Sequence, residues 1–327
     1  MKIRPGHFMT AYGSAPELFR ESVESVEIEI SSFCNRRCGF CPNSQYSRLN
    51  DRRLMEDDLF SAILRQLAGI GWKGFLRLHR YNEPLAERDY LLRRLTQVRD
   101  ELPGASVFLF TNGDYLDPRY FEQLYQAGLR QMVVNCYPPA DSPFVEADIR
   151  AAMEQRIAAW GLPHVWKHQR GDVLEAVLRF GEMAVMLRGE NLRRPLGPGV
   201  LRMSDRGGLL PVNRVFQRHA PCLKPFSELQ VEVDGSLMPC CELRSDAPDH
   251  RDAVLGRMTP QSDLFSLWSN ARYVAWRREL FQLSPKTGPC RHCIGSAPQD
   301  SPALRAEIQA LRRDLGLDGF PPEPPFL

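Results

Sequence analysis

The chain has 327 residues, of which 43% are hydrophobic and 25% are charged, and its formal net charge is +2. This composition predicts a globular protein large enough for one large α/β domain and one smaller domain. The near-neutral charge, with arginines spread along the whole chain, argues against nucleic-acid binding. There is no run of 18 apolar residues to predict a membrane span and no apolar stretch near the start to predict a secretory signal.

The first two thirds of the chain alternate between predicted strands and helices. After an irregular lead-in over residues 1–23, strands are predicted at 25–31, 75–79, 107–110 and 132–136, with helices at 56–70, 89–102 and 118–127 between them. Four β–α alternations predict a parallel sheet with right-handed crossovers. A helix at 145–159 and strands at 183–188 and 200–203 complete a six-stranded pattern.

Three cysteines follow the first strand directly. Cys34, Cys38 and Cys41 have the spacing C-x3-C-x2-C, and Phe40 precedes the third. Iron–sulfur clusters are normally held by four thiolates, so three thiolates around a four-iron cluster leave one iron open. A zinc knuckle or a redox disulfide is the alternative, but a structural zinc site needs a fourth ligand nearby. No His or Cys occurs within the next thirty residues.

This loop after a first strand resembles the signature of the radical S-adenosylmethionine (radical SAM) enzymes. The resemblance implies that Cys34, Cys38 and Cys41 bind a 4Fe-4S cluster, whose open iron holds S-adenosyl-L-methionine, and that Phe40 lies beside the adenine. In this family the reduced cluster generates a 5′-deoxyadenosyl radical. The expected fold is α/β, a partial (β/α)6 TIM-like barrel over residues 24–212.

Polar residues at the ends of the predicted strands are candidate cofactor contacts, because ligands bind at the carboxyl ends of such strands. Residues 81–84 read Tyr-Asn-Glu-Pro where the family usually has Gly-Gly-Glu-Pro around the methionine amino group. Glu83 and Pro84 match, whereas Tyr81 and Asn82 replace glycines; the alternative is that the segment is only a strand-ending turn. Asn135 is either a ribose contact or a strand-end cap. Arg188 is either a partner for the methionine carboxylate or a solvated arginine.

A second cysteine set predicts a small module over residues 213–300. Cys222, Cys240, Cys290 and Cys293 form a C…G-x4-C…C-x2-C pattern, with a β-hairpin predicted around the Asp-Gly pair that ends at Gly235. The arrangement resembles the SPASM/twitch extension of radical SAM enzymes, a β-hairpin and helix iron–sulfur module. An auxiliary 4Fe-4S cluster and a structural zinc ion both remain open for these four thiols.

Two further cysteines and the chain terminus carry smaller predictions. Cys136 is either a small buried hydrophobic residue or a thiol that donates a hydrogen atom to a substrate radical, and Cys241 is a rival for that role. Residues 301–327 are predicted as a C-terminal helix, capped by Ser301, and a Pro-rich tail.

The two resemblances imply a radical SAM oxidoreductase that removes a C–H hydrogen atom. We expect two-electron oxidation of a small polar metabolite, such as a sugar or a cyclitol. An epimerase with a cysteine hydrogen donor, a peptide maturase, and a non-catalytic electron carrier or zinc scaffold are the alternatives. Only about twenty residues precede the first strand, which is short for a leader-peptide domain. The cysteine usage predicts a cytoplasmic protein. The resemblance implies a flavodoxin- or ferredoxin-type reductant, and we expect no nucleic-acid or membrane partner.

Overall fold

The computed structural model describes residues 3–138, 142–295 and 302–317. The chain forms two compact units: residues 26–194 make one, and residues 1–25 with 195–327 make the other. The predicted domain boundary after residue 212 therefore differs from the structural division after residue 194. Ser301 and the tail from residue 318 onward lie outside the described residues.

Most elements of the 26–194 unit lie where the apolar periodicity predicts them. A first helix, α1 (Ala15–Ser22), precedes them in the other unit. The remaining elements, in chain order, are β1 (Ser25–Ile28), α2 (Asp57–Gly69), β2 (Phe75–Arg77), α3 (Arg88–Glu101), β3 (Ser106–Thr111), α4 (Pro118–Gln126), β4 (Gln131–Asn135), α5 (Glu146–Trp160), β5 (His164–His168), β6 (Val173–Phe180) and β7 (Met183–Glu190).

The sheet of this unit has the strand order β1-β2-β3-β4-β7-β6-β5. Strands β2, β3, β4 and β7 pair in parallel, while β6 and β5 extend the sheet in antiparallel fashion. The α/β fold class with a partial, TIM-like parallel sheet is confirmed. Parallel strands place the residues that follow β1, β2, β3, β4 and β7 at one edge.

The predicted strand at 200–203 is wrong as a member of this sheet. Val200–Leu201 pairs instead with Pro195–Gly197 in a separate two-stranded sheet. Strands β5 and β6 were not predicted. β5 is an edge strand whose side chains are mostly exposed, so it lacks an apolar pattern, whereas β6 does alternate between buried and half-buried residues.

The other unit contains the hairpin predicted before Cys240. Its elements after residue 194 are β8 (Pro195–Gly197), β9 (Val200–Leu201), α6 (Lys224–Ser227), β10 (Glu228–Val231), β11 (Ser236–Met238), β12 (Gly256–Arg257), α7 (Leu264–Trp268), α8 (Ala271–Leu280) and α9 (Pro302–Asp314). β10, β11 and β12 form an antiparallel ribbon. Gly235 turns the hairpin at φ 84°, a conformation that favours glycine. Across the described residues, every helix is too short or too polar to cross a membrane.

Candidate functional site: two thiol sets

The three-thiol loop lies between β1 and α2, and its thiols are half-buried. The Cys41 N–H donates to the Cys38 carbonyl at 2.9 Å, which closes a tight turn between the second and third thiols. The next three residues form a short 3-10 turn, and the Ser44 hydroxyl donates back to the Cys41 carbonyl at 2.8 Å. These local hydrogen bonds therefore fix the turn that carries Cys38 and Cys41.

Two of these thiols have a raised pKa, and metal binding would relieve its cause. Burial, together with the neighbouring thiols, raises the pKa of Cys34 to about 12 and that of Cys38 to about 11. Without a metal, Cys34 and Cys38 are therefore protonated at neutral pH. A metal that binds them displaces the protons and neutralises thiolates that otherwise repel each other.

A charged network fixes the loop to the segment after β3. Arg36 forms a bidentate pair with Asp114, and Asn35 donates to the same carboxylate at 2.9 Å. Arg156, on α5, reaches Asp114 at 3.1 Å and donates to the Asn112 carbonyl at 2.7 Å. These ion pairs lower the pKa of Asp114 even though burial acts in the opposite direction. The network thus ties the loop to β3 and α5 of the same unit.

Glu83, which follows β2, is a buried carboxylate at the same edge. It accepts hydrogen bonds from the Thr111 hydroxyl at 2.5 Å, the Asn112 N–H at 2.8 Å and the Leu85 N–H at 3.1 Å. Burial raises its pKa to about 7, although these hydrogen bonds act to lower it. The Glu83 N–H also donates to the Phe33 carbonyl at 2.8 Å, which links the turn to the start of the thiol loop.

A cavity of about 110 Å³ brings together most of the predicted cofactor contacts. Its lining includes all three thiols and the predicted residues Phe40, Tyr81, Asn82, Glu83 and Asn135. Tyr81 and Asn82 also have contacts within the protein: the Tyr81 carbonyl accepts from Asn43 at 2.8 Å, and the Asn82 side chain donates to Ser31 at 3.0 Å. Their roles towards S-adenosyl-L-methionine stay predictions.

Arg188 is not among the residues that line this cavity. It lies directly opposite Glu175 on β6, and its guanidinium forms ion pairs with Glu175 at 3.3 Å and with Glu190 at 3.1 Å. Two carboxylates thus already compensate its charge. The proposed contact with the methionine carboxylate stays a prediction.

A larger cavity of about 610 Å³ adjoins the thiol loop in the same unit. Cys38 and Phe40 lie in its wall with residues from α5 and from the end of β7, including Gln155, Arg156 and Glu190. Tyr137 packs against Phe40, with ring centroids 4.6 Å apart. Sequence reasoning missed four of the residues just described: Asp114, Tyr137, Arg156 and Glu190. The strand-end rule could have found Tyr137 and Glu190, because they lie at the ends of β4 and β7.

The four-thiol set lies in the other unit and is more deeply enclosed. Cys222, Cys240 and Cys293 are buried, and Cys290 is half-buried. Burial raises the pKa of Cys240 far above its usual range, with further contributions from Cys241, Cys290, Cys222 and Cys293. Four thiols in one enclosed group are a donor set of the kind that an iron–sulfur cluster or a zinc ion needs. Among the described residues, no group of three or more His, Cys, Asp and Glu side chains is arranged so that it could hold a single metal ion.

The two hydrogen-donor candidates have different surroundings. Cys136 is buried and lines neither cavity beside the three-thiol loop. Burial raises the pKa of its thiol. Cys241 is half-buried in the other unit and accepts a hydrogen bond from the Lys224 ammonium at 3.3 Å. The hydrogen-donor role of either thiol stays a prediction.

Comparisons with known proteins find two family models, one over each part of the chain that carries a thiol set. Residues 28–160 match the model of the radical SAM superfamily, and residues 222–294 match that of an iron-sulfur cluster-binding domain, SPASM. The chain belongs to the radical SAM superfamily. It is a radical SAM oxidoreductase with a C-terminal SPASM domain, whose cofactors are 4Fe-4S clusters and S-adenosyl-L-methionine.

Individual relatives agree with this membership. The chain is 24% identical over 270 residues to the S-adenosyl-L-methionine-dependent 2-deoxy-scyllo-inosamine dehydrogenase of Niallia circulans, covering 82% of this chain and 91% of the relative. The crystal structure of BtrN in complex with AdoMet and 2-DOIA is 22% identical with a TM-score of 0.56, covering 79% of this chain and 87% of that one. BtrN in an open conformation is 18% identical with a TM-score of 0.51, covering 80% and 87%. These structures share the fold of this radical SAM enzyme.

Proposed function

We propose that this protein oxidises a secondary alcohol of a small polyhydroxylated ring, a cyclitol or a sugar, to a ketone. The observation that carries the proposal is the match of 82% of this chain to a dehydrogenase named for 2-deoxy-scyllo-inosamine. The two thiol sets agree with it, because a dehydrogenation that begins with a hydrogen atom must also remove an electron and a proton.

The residues of the chain divide the cofactor binding between the two units. Cys34, Cys38 and Cys41 would hold the first cluster, and Cys222, Cys240, Cys290 and Cys293 would hold the auxiliary one. When bound, the first cluster and S-adenosyl-L-methionine supply the radical that takes a hydrogen atom, and the auxiliary cluster accepts an electron. We assign the paired rings of Phe40 and Tyr137 to the adenine, which aromatic faces bind by stacking.

We place the substrate in the larger cavity. A polyol needs hydrogen-bond donors and acceptors on several sides, and Gln155, Arg156, Glu190 and Asn191 supply them here. The apolar part of the wall, which includes Leu192, excludes water from the reacting carbon. The volume of about 610 Å³ lies within the range that is typical of small-molecule sites.

We propose that Glu190 accepts the hydroxyl proton. A secondary alcohol becomes a ketone by losing one hydrogen atom from carbon, one proton from oxygen and one electron. Glu190 ends β7 and lines the cavity, and its carboxylate lies 3.1 Å from the Arg188 guanidinium. Arg188 would then orient the carboxylate before the transfer, and Glu190 would be a neutral carboxylic acid after it.

The electron for the first cluster would come from a flavodoxin- or ferredoxin-type protein. We propose a cytoplasmic location for the same reason that the sequence predicts it, because reducing conditions keep the nine thiols available for metal binding.

Anaerobic reconstitution followed by turnover tests this function. The protein would be loaded with iron and sulfide and reduced with dithionite in the presence of S-adenosyl-L-methionine and a panel of cyclitols and sugars, including 2-deoxy-scyllo-inosamine. We expect about two four-iron clusters per chain, 5′-deoxyadenosine, and a product two mass units lighter than its substrate. A substrate deuterated at the reacting carbon should transfer the label to 5′-deoxyadenosine.

The same assay separates the alternatives. Epimerisation would leave the product mass unchanged in water and add one deuterium in heavy water, and Cys136→Ala or Cys241→Ala would suppress the inverted product. A peptide maturase would leave every sugar and cyclitol unreacted. A chain that takes up one cluster, or that forms no 5′-deoxyadenosine with any substrate, would contradict the oxidation proposed here.

A further inference from the structure

A buried arginine lies beside the four-thiol set and has no carboxylate partner in the part of the chain that the structure describes. The Arg218 side chain is 1% exposed. Its guanidinium donates to the carbonyls of Pro221 at 2.7 Å, Gly295 at 2.8 Å and Ala220 at 3.0 Å. It also lies 3.4 Å from the Cys293 carbonyl and 3.8 Å from the Cys293 sulfur. Within the described residues, no carboxylate forms an ion pair with it.

This arrangement is costly for the metal-free protein. An arginine stays protonated at all accessible pH values, so its charge cannot be removed by a shift in pKa. Carbonyl dipoles satisfy its N–H groups but supply no net negative charge, and a buried charge without a counter-charge is strongly unfavourable. The counter-charge would therefore come from the cysteines themselves, which become thiolates when they bind a metal group.

Other cations near the thiol set are better compensated. Arg206 forms an ion pair with Glu242 at 3.1 Å. Lys286 is 2% exposed and donates to the carbonyls of Gln282 at 2.5 Å and Glu279 at 3.4 Å. The Glu279 carboxylate favours the charged form of Lys286, although burial and Arg218 lower the lysine pKa to about 8. Arg218 thus differs from both in having only sulfur and carbonyl oxygens as partners.

We propose that Arg218 is the counter-charge of the auxiliary iron–sulfur cluster and raises its reduction potential. A four-iron cluster with four thiolates has net negative charge, and each one-electron reduction adds one more. A fixed cation with an N–H group directed at a ligand sulfur stabilises the reduced form more than the oxidised form. The inference rests on the proposed function, because it concerns the centre that accepts the substrate's electron.

Redox titration of the auxiliary cluster alone tests this role. The triple variant of Cys34, Cys38 and Cys41 to Ala, in the full-length chain, leaves the four-thiol set as the cluster site. Arg218→Gln would be compared in this background with Arg218→Lys, which keeps the charge. Arg272→Gln is the matched control, because this exposed arginine also donates to a backbone carbonyl, that of Asp252 at 2.8 Å. Electron paramagnetic resonance would follow the reduced cluster as dithionite lowers the potential.

We expect Arg218→Gln to lower the ratio of reduced to oxidised cluster at least tenfold at a fixed potential, which is about 59 mV for a one-electron couple. Arg218→Lys should stay within threefold of the parent, and Arg272→Gln should match it. An Arg218→Gln protein that holds four irons and keeps the parent's potential would overturn the proposal.

Lys286→Gln provides a second measurement if Arg218→Gln fails to bind iron. We expect a smaller shift in the same direction, because Glu279 offsets part of the lysine charge. In that case, the Arg218→Lys protein is decisive. A ratio of reduced to oxidised cluster within threefold of the parent's, at the same potential, supports the role of charge, and a larger change in this ratio refutes it. Uptake of zinc in place of iron would refute it as well. The titration needs neither S-adenosyl-L-methionine nor substrate, so a failure of the dehydrogenase proposal would leave its result unaffected.

Discussion

In the unit formed by residues 26–194, the arginines that support the thiol loop are paired with a carboxylate. In the other unit, a buried arginine beside the thiols has no carboxylate partner among the described residues. Arg36 and Arg156 share Asp114, and the loop thiols are half-buried. Arg218 contacts carbonyls and the Cys293 sulfur, in a set whose thiols are mostly buried. The same ligand chemistry therefore occurs in two different electrostatic settings.

The difference matches the coordination that each set allows. A three-thiolate site must admit a second ligand, so its loop lies beside cavities and is fixed by contacts that leave the thiols accessible. A four-thiolate site has no open coordination position and is enclosed. Its surroundings therefore influence the charge of the bound group rather than the access of a further ligand. Four predictions follow from this contrast.

The strongest expected contrast is between the loss of a thiol in each set. Cys38→Ala should abolish 5′-deoxyadenosine formation, because two thiolates cannot replace the three that hold the first cluster. Cys290→Ala should still form 5′-deoxyadenosine but little ketone, because it affects only the electron acceptor. Iron analysis and product quantification after anaerobic turnover measure both. Equal loss of 5′-deoxyadenosine in the two variants would remove the functional distinction between the sets.

The next prediction concerns proton removal in the larger cavity. Glu190→Gln should lower the rate of ketone formation by about 10²–10⁴-fold, since glutamine cannot accept the hydroxyl proton. Transfer of deuterium from substrate to 5′-deoxyadenosine should persist. Glu182→Gln is the control, because this exposed carboxylate lies 3.9 Å from Arg130 on the surface. Unchanged ketone formation in Glu190→Gln would exclude Glu190 as the proton acceptor.

A smaller effect is expected when the loop loses its anchor. Asp114→Asn removes the charge that Arg36 and Arg156 share, so the thiol loop should become less ordered. We expect a loss of about 10–100-fold in activity, the range found when groups that orient metal ligands are changed. Asp100→Asn breaks the exposed pair with Arg99 and should have little effect. The auxiliary cluster should form normally in both variants, and an Asp114→Asn protein with full activity would contradict the anchoring role.

The sequence predicted the thiol sets and the parallel part of the sheet because their signals are local. Cysteine spacing and apolar periodicity need no knowledge of distant residues. The ion pair of Arg188 could not be predicted, because its partner Glu175 lies opposite it on β6, a strand that was not predicted. The pairing of Arg36 with Asp114 joins residues 78 positions apart, and the burial of Arg218 depends on packing around Cys293. Such contacts are set by the tertiary fold, so the order of residues alone does not reveal them.

The smallest effect is a pH dependence confined to the 26–194 unit. The pKa of Glu83 rises from its ordinary value of 4.5 to about 7 on folding, because burial disfavours the carboxylate. A raised folded-state pKa means that the folded protein binds the proton more tightly than the unfolded chain. The resulting stabilisation is complete below about pH 4.5 and is lost as the pH rises through about 7, by at most on the order of 3 kcal/mol. Urea unfolding of the reduced, metal-free protein at pH 5 and pH 8 should therefore show a smaller loss of stability for Glu83→Gln than for the parent.

The control for Glu83→Gln is Glu101→Gln, an exposed position on α3. Glu101→Gln should lose as much stability between pH 5 and pH 8 as the parent does, because an exposed carboxylate is not desolvated on folding. If Glu83→Gln loses as much stability as the parent over this range, the three hydrogen bonds to the carboxylate outweigh its burial. Glu83 would then be ionised throughout and already fit to face a cationic group in the small cavity.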